Sequence, residues 1–153
     1  MSDLRDLYQE LILDHGRRPR NFGPLEGTTH EAVGHNPMCG DRITVHVRVE
    51  GDRVTGLSFE GQGCAISQAS ASLLTEAVRG RSLEEALALF RKVTAMVTGR
   101  DEDAAREEGV ELGKLAVFEG VRQYPMRVKC ATLAWHTLRN ALAGQPDEVA
   151  KTE

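Results

Sequence analysis

Aromatic residues are scarce: one Trp, two Tyr and four Phe, 5% of 153 residues. A core of this size must therefore be filled by Leu, Val, Ala and Ile, and a stacking platform for single-stranded nucleic acid is a poor fit. There is no block of Lys and Arg, and the formal net charge is -4. That leaves out the electrostatic footprint of a nucleic-acid binder. No apolar run approaches the length of a membrane span. Internal repeats and low-complexity tracts are absent. The opening segment, MSDLRDLYQELILDHG, carries helical amphipathic spacing rather than the pattern of a signal peptide. Cysteine is sparse as well. There are three, Cys39, Cys64 and Cys130, an odd number that cannot all pair within one chain. The expected compartment is the cytoplasm, where thiols stay reduced. In that setting separated cysteines point to metal or sulfur chemistry before disulfides.

What is present is one domain's worth of chain. Hydrophobic residues make up 41% and charged residues 27%, a globular composition. Leu4, Leu7 and Leu11 recur at helical spacing and predict a helix over about residues 3–15, followed by a loop, RRPRNFGPLEG. A short strand is expected around residues 28–34. In RITVHVRVE (42–50), Ile43, Val45, Val47 and Val49 alternate with Thr44, His46, Arg48 and Glu50, the pattern of a half-buried antiparallel strand. Gly51 and Asp52 turn the chain into a second strand over 53–61, giving a hairpin. Helices are expected over 64–80 and, after the capping box of Ser82 to Glu85, to about Thr98. The acidic stretch 99–111 reads as a surface excursion, 112–125 as a short helix ended by Pro125, and 127–144 as a final helix. The last nine residues read as a polar, frayed tail. These elements predict an α+β fold, a small antiparallel sheet of about three strands with helices on one face. Residues 1–144 are expected to form a single domain and 145–153 its tail.

Each cysteine falls at an element boundary. Cys39 lies in the turn NPMCGD before the first long strand, Cys64 between the second strand and a helix, and Cys130 in the expected first turn of the last helix. Hairpin geometry brings Cys39 and Cys64 to one end of the sheet; Cys130 needs a tertiary contact. Helix starts favour thiolate. Lys129 and Arg127 add positive charge beside Cys130. Gly40, Gly61 and Gly63 permit close backbone approach or positive φ. Asp41, on the turn of Cys39, supplies a hard oxygen. Three thiolates and a carboxylate match the four ligands of tetrahedral zinc. The spacing is equally compatible with three small buried hydrophobes.

At these residues the chain resembles the U-type iron–sulfur cluster assembly proteins, the IscU/SufU/NifU-N family. The resemblance runs through LILDHGRRPRNFGPLE, GHNPMCGDRITVHV, FEGQGCAISQASASLLTE and PMRVKCATLAWHTL, from residue 7 to about 140. In the classical scaffold a histidine precedes the third cysteine; here that position is Lys129. Together with the extra segment at 99–111 and the CATLAWHTL run, this resembles the SufU branch. The resemblance implies a SufE/NifU-like fold and zinc held by Cys39, Asp41, Cys64 and Cys130. It implies sulfur transfer from a pyridoxal-phosphate cysteine desulfurase of SufS type to a downstream iron–sulfur scaffold. It further implies Cys39 as the sulfur acceptor, released from the metal when a partner histidine takes its place. A residue in a turn can swing out more readily than one locked in a helix. The alternative is a scaffold on which a [2Fe–2S] cluster is built, since thiolates serve both metals.

The histidines offer less. His46 falls on the polar face of its strand and is expected to be solvated. His136, six residues after Cys130, lies about 240° around the helix and faces elsewhere. His35, four residues before Cys39, is an outside candidate ligand. Lys129 and, with less to support it, Arg127 are expected near the site, where a cation would stabilise thiolate or persulfide.

Overall fold

The computed structural model describes residues 2–38, 40–99, 112–143 and 150–151. The chain forms α1 (Ser2–Arg17), β1 (His30–Asn36), β2 (Asp41–Glu50), β3 (Arg53–Gln62), α2 (Ala65–Val78), α3 (Leu83–Thr98), a 3-10 helix (Gly113–Gln123), α4 (Pro125–Leu142) and β4 (Ala150–Lys151). The expected α+β fold is found. β1, β2 and β3 form the antiparallel sheet, and the strand order is β3-β2-β1-β4. The acidic excursion expected at 99–111 falls, from residue 100 onward, outside the described residues. No helix among the described residues is long and apolar enough to cross a membrane.

The alternation in the hairpin sets the layers. Ile43, Val45 and Val47 of β2 are buried with Leu57 and Phe59 of β3. They share the core with residues of α2 and α4, including Leu73, Leu74 and the fully buried Trp135. Val49 is only partly buried against the core, at the point where the register with β3 shifts between Arg48 and Val49, the mark of a bulge. The capping box forms as expected: Ser82 Oγ accepts from the Glu85 N–H, and the Glu85 carboxylate accepts from the Ser82 N–H.

Three expectations need correction. The helix expected to end at Pro125 is a 3-10 helix, and Pro125 instead opens α4 at its first turn. Proline pushes the preceding residue to extended backbone, as seen at Tyr124, while its fixed φ suits a helix start. The supposedly frayed tail contains β4, whose Ala150 and Lys151 pair in parallel with Gly34 and His35. An open strand edge offers unpaired backbone groups to any such segment. His46 is not solvated but only 7% exposed. Its Nδ1 lies 2.8 Å from Glu31 Oε2 and its Nε2 3.0 Å from Glu60 Oε2, bridging all three antiparallel strands. Alternation places a side chain on a face; it does not show what that face's neighbours will cover.

α1 is fixed to α2 through His15, 1% exposed, whose Nδ1 lies 2.7 Å from Ser72 Oγ. Burial pushes the His15 pKa below its ordinary value, and Arg20 adds to the effect. Burial and Arg139 do the same to His136, which packs edge-on against Phe90. The unfolded chain then binds protons more readily than the folded one. Stability is fully present above the unfolded value of 6.5 and is lost as pH falls through the lower folded values. Chemical unfolding midpoints should therefore fall as pH drops below that value. His15→Asn should flatten this dependence in part, leaving the contribution of His136; an unchanged pH profile would count against it.

α4 crosses the sheet closely at Gly34. A Cβ there would collide with Thr137 Oγ1 and stand 3.1 Å from Leu133 Cδ1. Gly34→Ala should therefore destabilise the protein by about 1–3 kcal/mol, the usual cost of overpacking. Thermal unfolding checks this, and an unshifted midpoint would contradict the close crossing.

Candidate metal centre

The site is built from the starts of one strand and one helix and the second turn of another helix. Asp41 opens β2, paired across the ladder with Asn36 of β1. Asn36 Oδ1 accepts from the Met38 N–H at 3.1 Å, shaping the turn that leads to Asp41. Cys64 is the N-cap of α2, in extended backbone, and its Sγ accepts from the Ser67 N–H at 3.4 Å. Cys130 lies on α4. Because α4 begins at Pro125, Cys130 sits in the second turn rather than the first. The dipole's effect falls off within the first turn, so the helix start does less for Cys130 than expected.

These elements bring Asp41, Cys64 and Cys130 together, with one ligand atom of each within 4.8 Å of the others. Asp41 is wholly buried and Cys130 is 3% exposed, while Cys64 faces solvent. The Asp41 carboxyl is oriented by its neighbour in space: Oδ1 accepts from the Cys64 N–H at 2.9 Å, and the Cys64 thiol donates to Oδ2 at 3.7 Å. Once the thiol proton is gone, Oδ2 is left free to face a cation. Gly63 makes the room. A Cβ there would stand 3.0 Å from Asp41 Oδ1 and 3.2 Å from Ser67 Cβ.

The electrostatics favour thiolate at Cys64. Its pKa is lowered from 9.0 to about 7. The hydrogen bond from Cys130 is the largest cause, with the N–H groups of Ser67 and Ile66 assisting; burial and the Asp41 charge oppose it. Two sulfurs and a carboxyl oxygen converge here, with the Cys64 thiol partly deprotonated near neutral pH, a donor set that suits a thiophilic divalent ion.

Cys39, the fourth expected ligand, lies outside the described residues. Arg127 is exposed, with its guanidinium 4.7 Å over the Tyr124 ring. Lys129 is half-buried beside Cys130. His35 takes no part in the cluster. Ser67, which caps the Cys64 sulfur with its backbone, and Asn36, which shapes the turn, were not singled out by sequence reasoning. The Asn-Pro pair in NPMCGD carried a turn signal for Asn36; nothing in the sequence marked Ser67.

Residues 7–144 match the NifU-like N-terminal domain. The chain belongs to that family. The chain is also similar to the zinc-dependent sulfurtransferase SufU of Bacillus subtilis (strain 168), 39% identical over 142 residues, covering 93% of each chain. The iron–sulfur cluster assembly scaffold protein IscU of Streptococcus pyogenes serotype M1 is 43% identical over 143 residues, covering 93% of this chain and 86% of its own. The crystal structure of FiSufU from Fervidobacterium islandicum AW-1 superposes with a TM-score of 0.77 at 37% identity, covering 87% of this chain and 94% of that one. The IscU/SufU/NifU-N resemblance read from the cysteine segments is thus established. In this NifU-type domain the convergent Asp41, Cys64 and Cys130 occupy the very segments that carried the resemblance.

A metal-free sample tests the electrostatics. The rate of Cys64 alkylation, followed on the Cys64 peptide, should rise with a midpoint near pH 7. Cys130→Ala should move that midpoint upward, because the main stabilising hydrogen bond is lost. A midpoint unmoved by the substitution would show that Cys130 does not set it.

Proposed function

We propose that the chain is a zinc-dependent sulfurtransferase that accepts persulfide sulfur from a cysteine desulfurase and passes it into iron–sulfur cluster assembly. The observation that carries this reading is the convergence of Asp41, Cys64 and Cys130. It is supported by the 39% identity to a protein named as a zinc-dependent sulfurtransferase. Cys39 completes the ligand set in this reading, and residues 1–144 form the working domain. Zinc, when bound, would hold the cysteines as thiolates at neutral pH.

In the transfer step the Cys39 thiolate attacks the terminal sulfur of the desulfurase's cysteine persulfide. A Cys39 Sγ–S bond forms and the donor's S–S bond breaks. The donor cysteine leaves as a thiolate, and no electrons are gained or lost overall. Asp41, Cys64 and Cys130 would be the residues that hold the ion throughout, and a histidine from the partner would replace Cys39 as its fourth ligand. Lys129 and Arg127 supply positive charge toward the sulfur. The partner is a pyridoxal-phosphate desulfurase of SufS type, the acceptor is a downstream iron–sulfur scaffold, and the work is done in the cytoplasm.

The second reading, a scaffold for a [2Fe–2S] cluster, is favoured by the 43% identity to a protein named as such a scaffold. Lys129, where the classical scaffold has histidine, supports the first. Anaerobically purified protein should contain one equivalent of zinc and no acid-labile sulfide; iron with sulfide would establish the scaffold instead. Sulfur-35 from labelled cysteine, passed through a desulfurase, should label the wild type, and Cys39→Ala should abolish the label and the stimulation of the desulfurase. Retention of both by Cys39→Ala would move the acceptor role to another thiol.

A further inference from the structure

Two buried polar atoms beside the cluster have no hydrogen-bond partner among the described residues: Ser67 Oγ and Asn36 Nδ2. Both residues are completely buried, and an unpaired buried donor costs stability. Thr94 of α3 and the Trp135 indole are also without partners among the described residues, but most hydroxyls inside these helices have one. Thr98, Thr132 and Thr137 each donate to the carbonyl four residues back, and Ser70 donates to the Ala131 carbonyl. Ser67 does neither.

The placement of the two atoms is specific. The Ser67 N–H already donates to Cys64 Sγ. Its Cβ and Asp41 Oδ1 both lie about 3 Å from the point where a Gly63 Cβ would stand, at 3.2 and 3.0 Å. Asn36 approaches from the other strand, paired across the ladder with Asp41. Its Oδ1 is committed to the Met38 N–H, which leaves only the amide hydrogens uncommitted. It shares a face of β1 with Gly34, the face against which Leu133 and Thr137 of α4 pack.

We propose that Ser67 and Asn36 are positioning residues whose side-chain donors are held for the metal-loaded centre. This rests on the zinc reading above. A bound divalent ion would be held by the Cys64 and Cys130 sulfurs as thiolates, their protons released to solvent, which would leave both sulfurs as acceptors only. Those two thiolates with the Asp41 carboxylate carry three negative charges against two positive. The Ser67 hydroxyl and the Asn36 amide would then supply hydrogen bonds to the excess charge, giving partners to the two atoms that have none among the described residues. Groups that orient metal ligands in this way typically change affinity 10- to 100-fold when lost.

The test is a zinc titration against a chromophoric chelator, with thermal unfolding of the metal-free protein alongside. Ser67→Ala should weaken zinc binding by at least about tenfold, while the metal-free unfolding midpoint stays or rises. A merely structural serine would move these the other way, lowering the midpoint and leaving affinity alone. Asn36→Asp keeps the acceptor for Met38 but loses the amide donor, and should weaken zinc binding likewise. Unchanged affinity in either variant removes that residue from the proposal, and unchanged affinity in both overturns it while the zinc reading stands. A wild-type chain that takes up no zinc overturns the zinc reading, and the inference falls with it.

Discussion

One hydrogen bond holds the candidate site in shape: the Cys64 N–H donating to Asp41 Oδ1. A carboxyl group as deeply buried as Asp41 is costly unless it is hydrogen-bonded. Here the donor is a backbone group at a helix start, where N–H groups have no partner within the helix. Each group satisfies the other, and β2 and α2 are fixed to each other at their first residues. Cys64 caps α2 through its sulfur at the same time, so the thiol's position is set by the helix itself. Gly63 is what lets this happen, because any side chain there would press on the carboxyl oxygen.

Around this anchor the chain divides its roles. Cys130 arrives on a separate helix and brings a hydrogen bond that lowers the Cys64 pKa. Its helix is located by the close crossing at Gly34 and by the core around Trp135. Meanwhile Met38, Tyr124 and Met126, from the turn before Asp41 and the start of α4, remain exposed. A strand start and two helices therefore carry Asp41, Cys64 and Cys130, with apolar side chains exposed nearby.

Much of this was legible in the sequence for identifiable reasons. The hairpin showed because Ile43, Val45 and Val47 keep strict alternation and Gly51–Asp52 interrupts it. The α3 start showed because Ser82 and Glu85 have only one good use at that spacing. Asp41, Cys64 and Cys130, which converge in space, stood out because the cysteines fall at element boundaries and Asp41 follows Cys39 on one turn, although that spacing alone suits buried hydrophobes equally well. What did not show depends on contacts between distant segments. His46 reads as solvated until Glu31 and Glu60 are placed on the flanking strands. Pro125 serves equally well as a stop or a start. β4 pairs along the open edge of β1, and Ser67 stands out only once its backbone is seen to bond the Cys64 sulfur while its hydroxyl has no partner among the described residues.

The separation of the clustered residues along the chain has a final consequence. Asp41 and Cys64 are 23 residues apart, and Cys130 follows far beyond, on another helix. Anything that grips all three at once ties the chain into two successive loops that meet at Cys64, and closing such loops removes conformational entropy from the unfolded ensemble. A bound ion would thus act as a removable staple in a chain whose odd thiol count denies it a complete set of covalent ones, and the state of the centre would be written into the fold's resistance to unfolding.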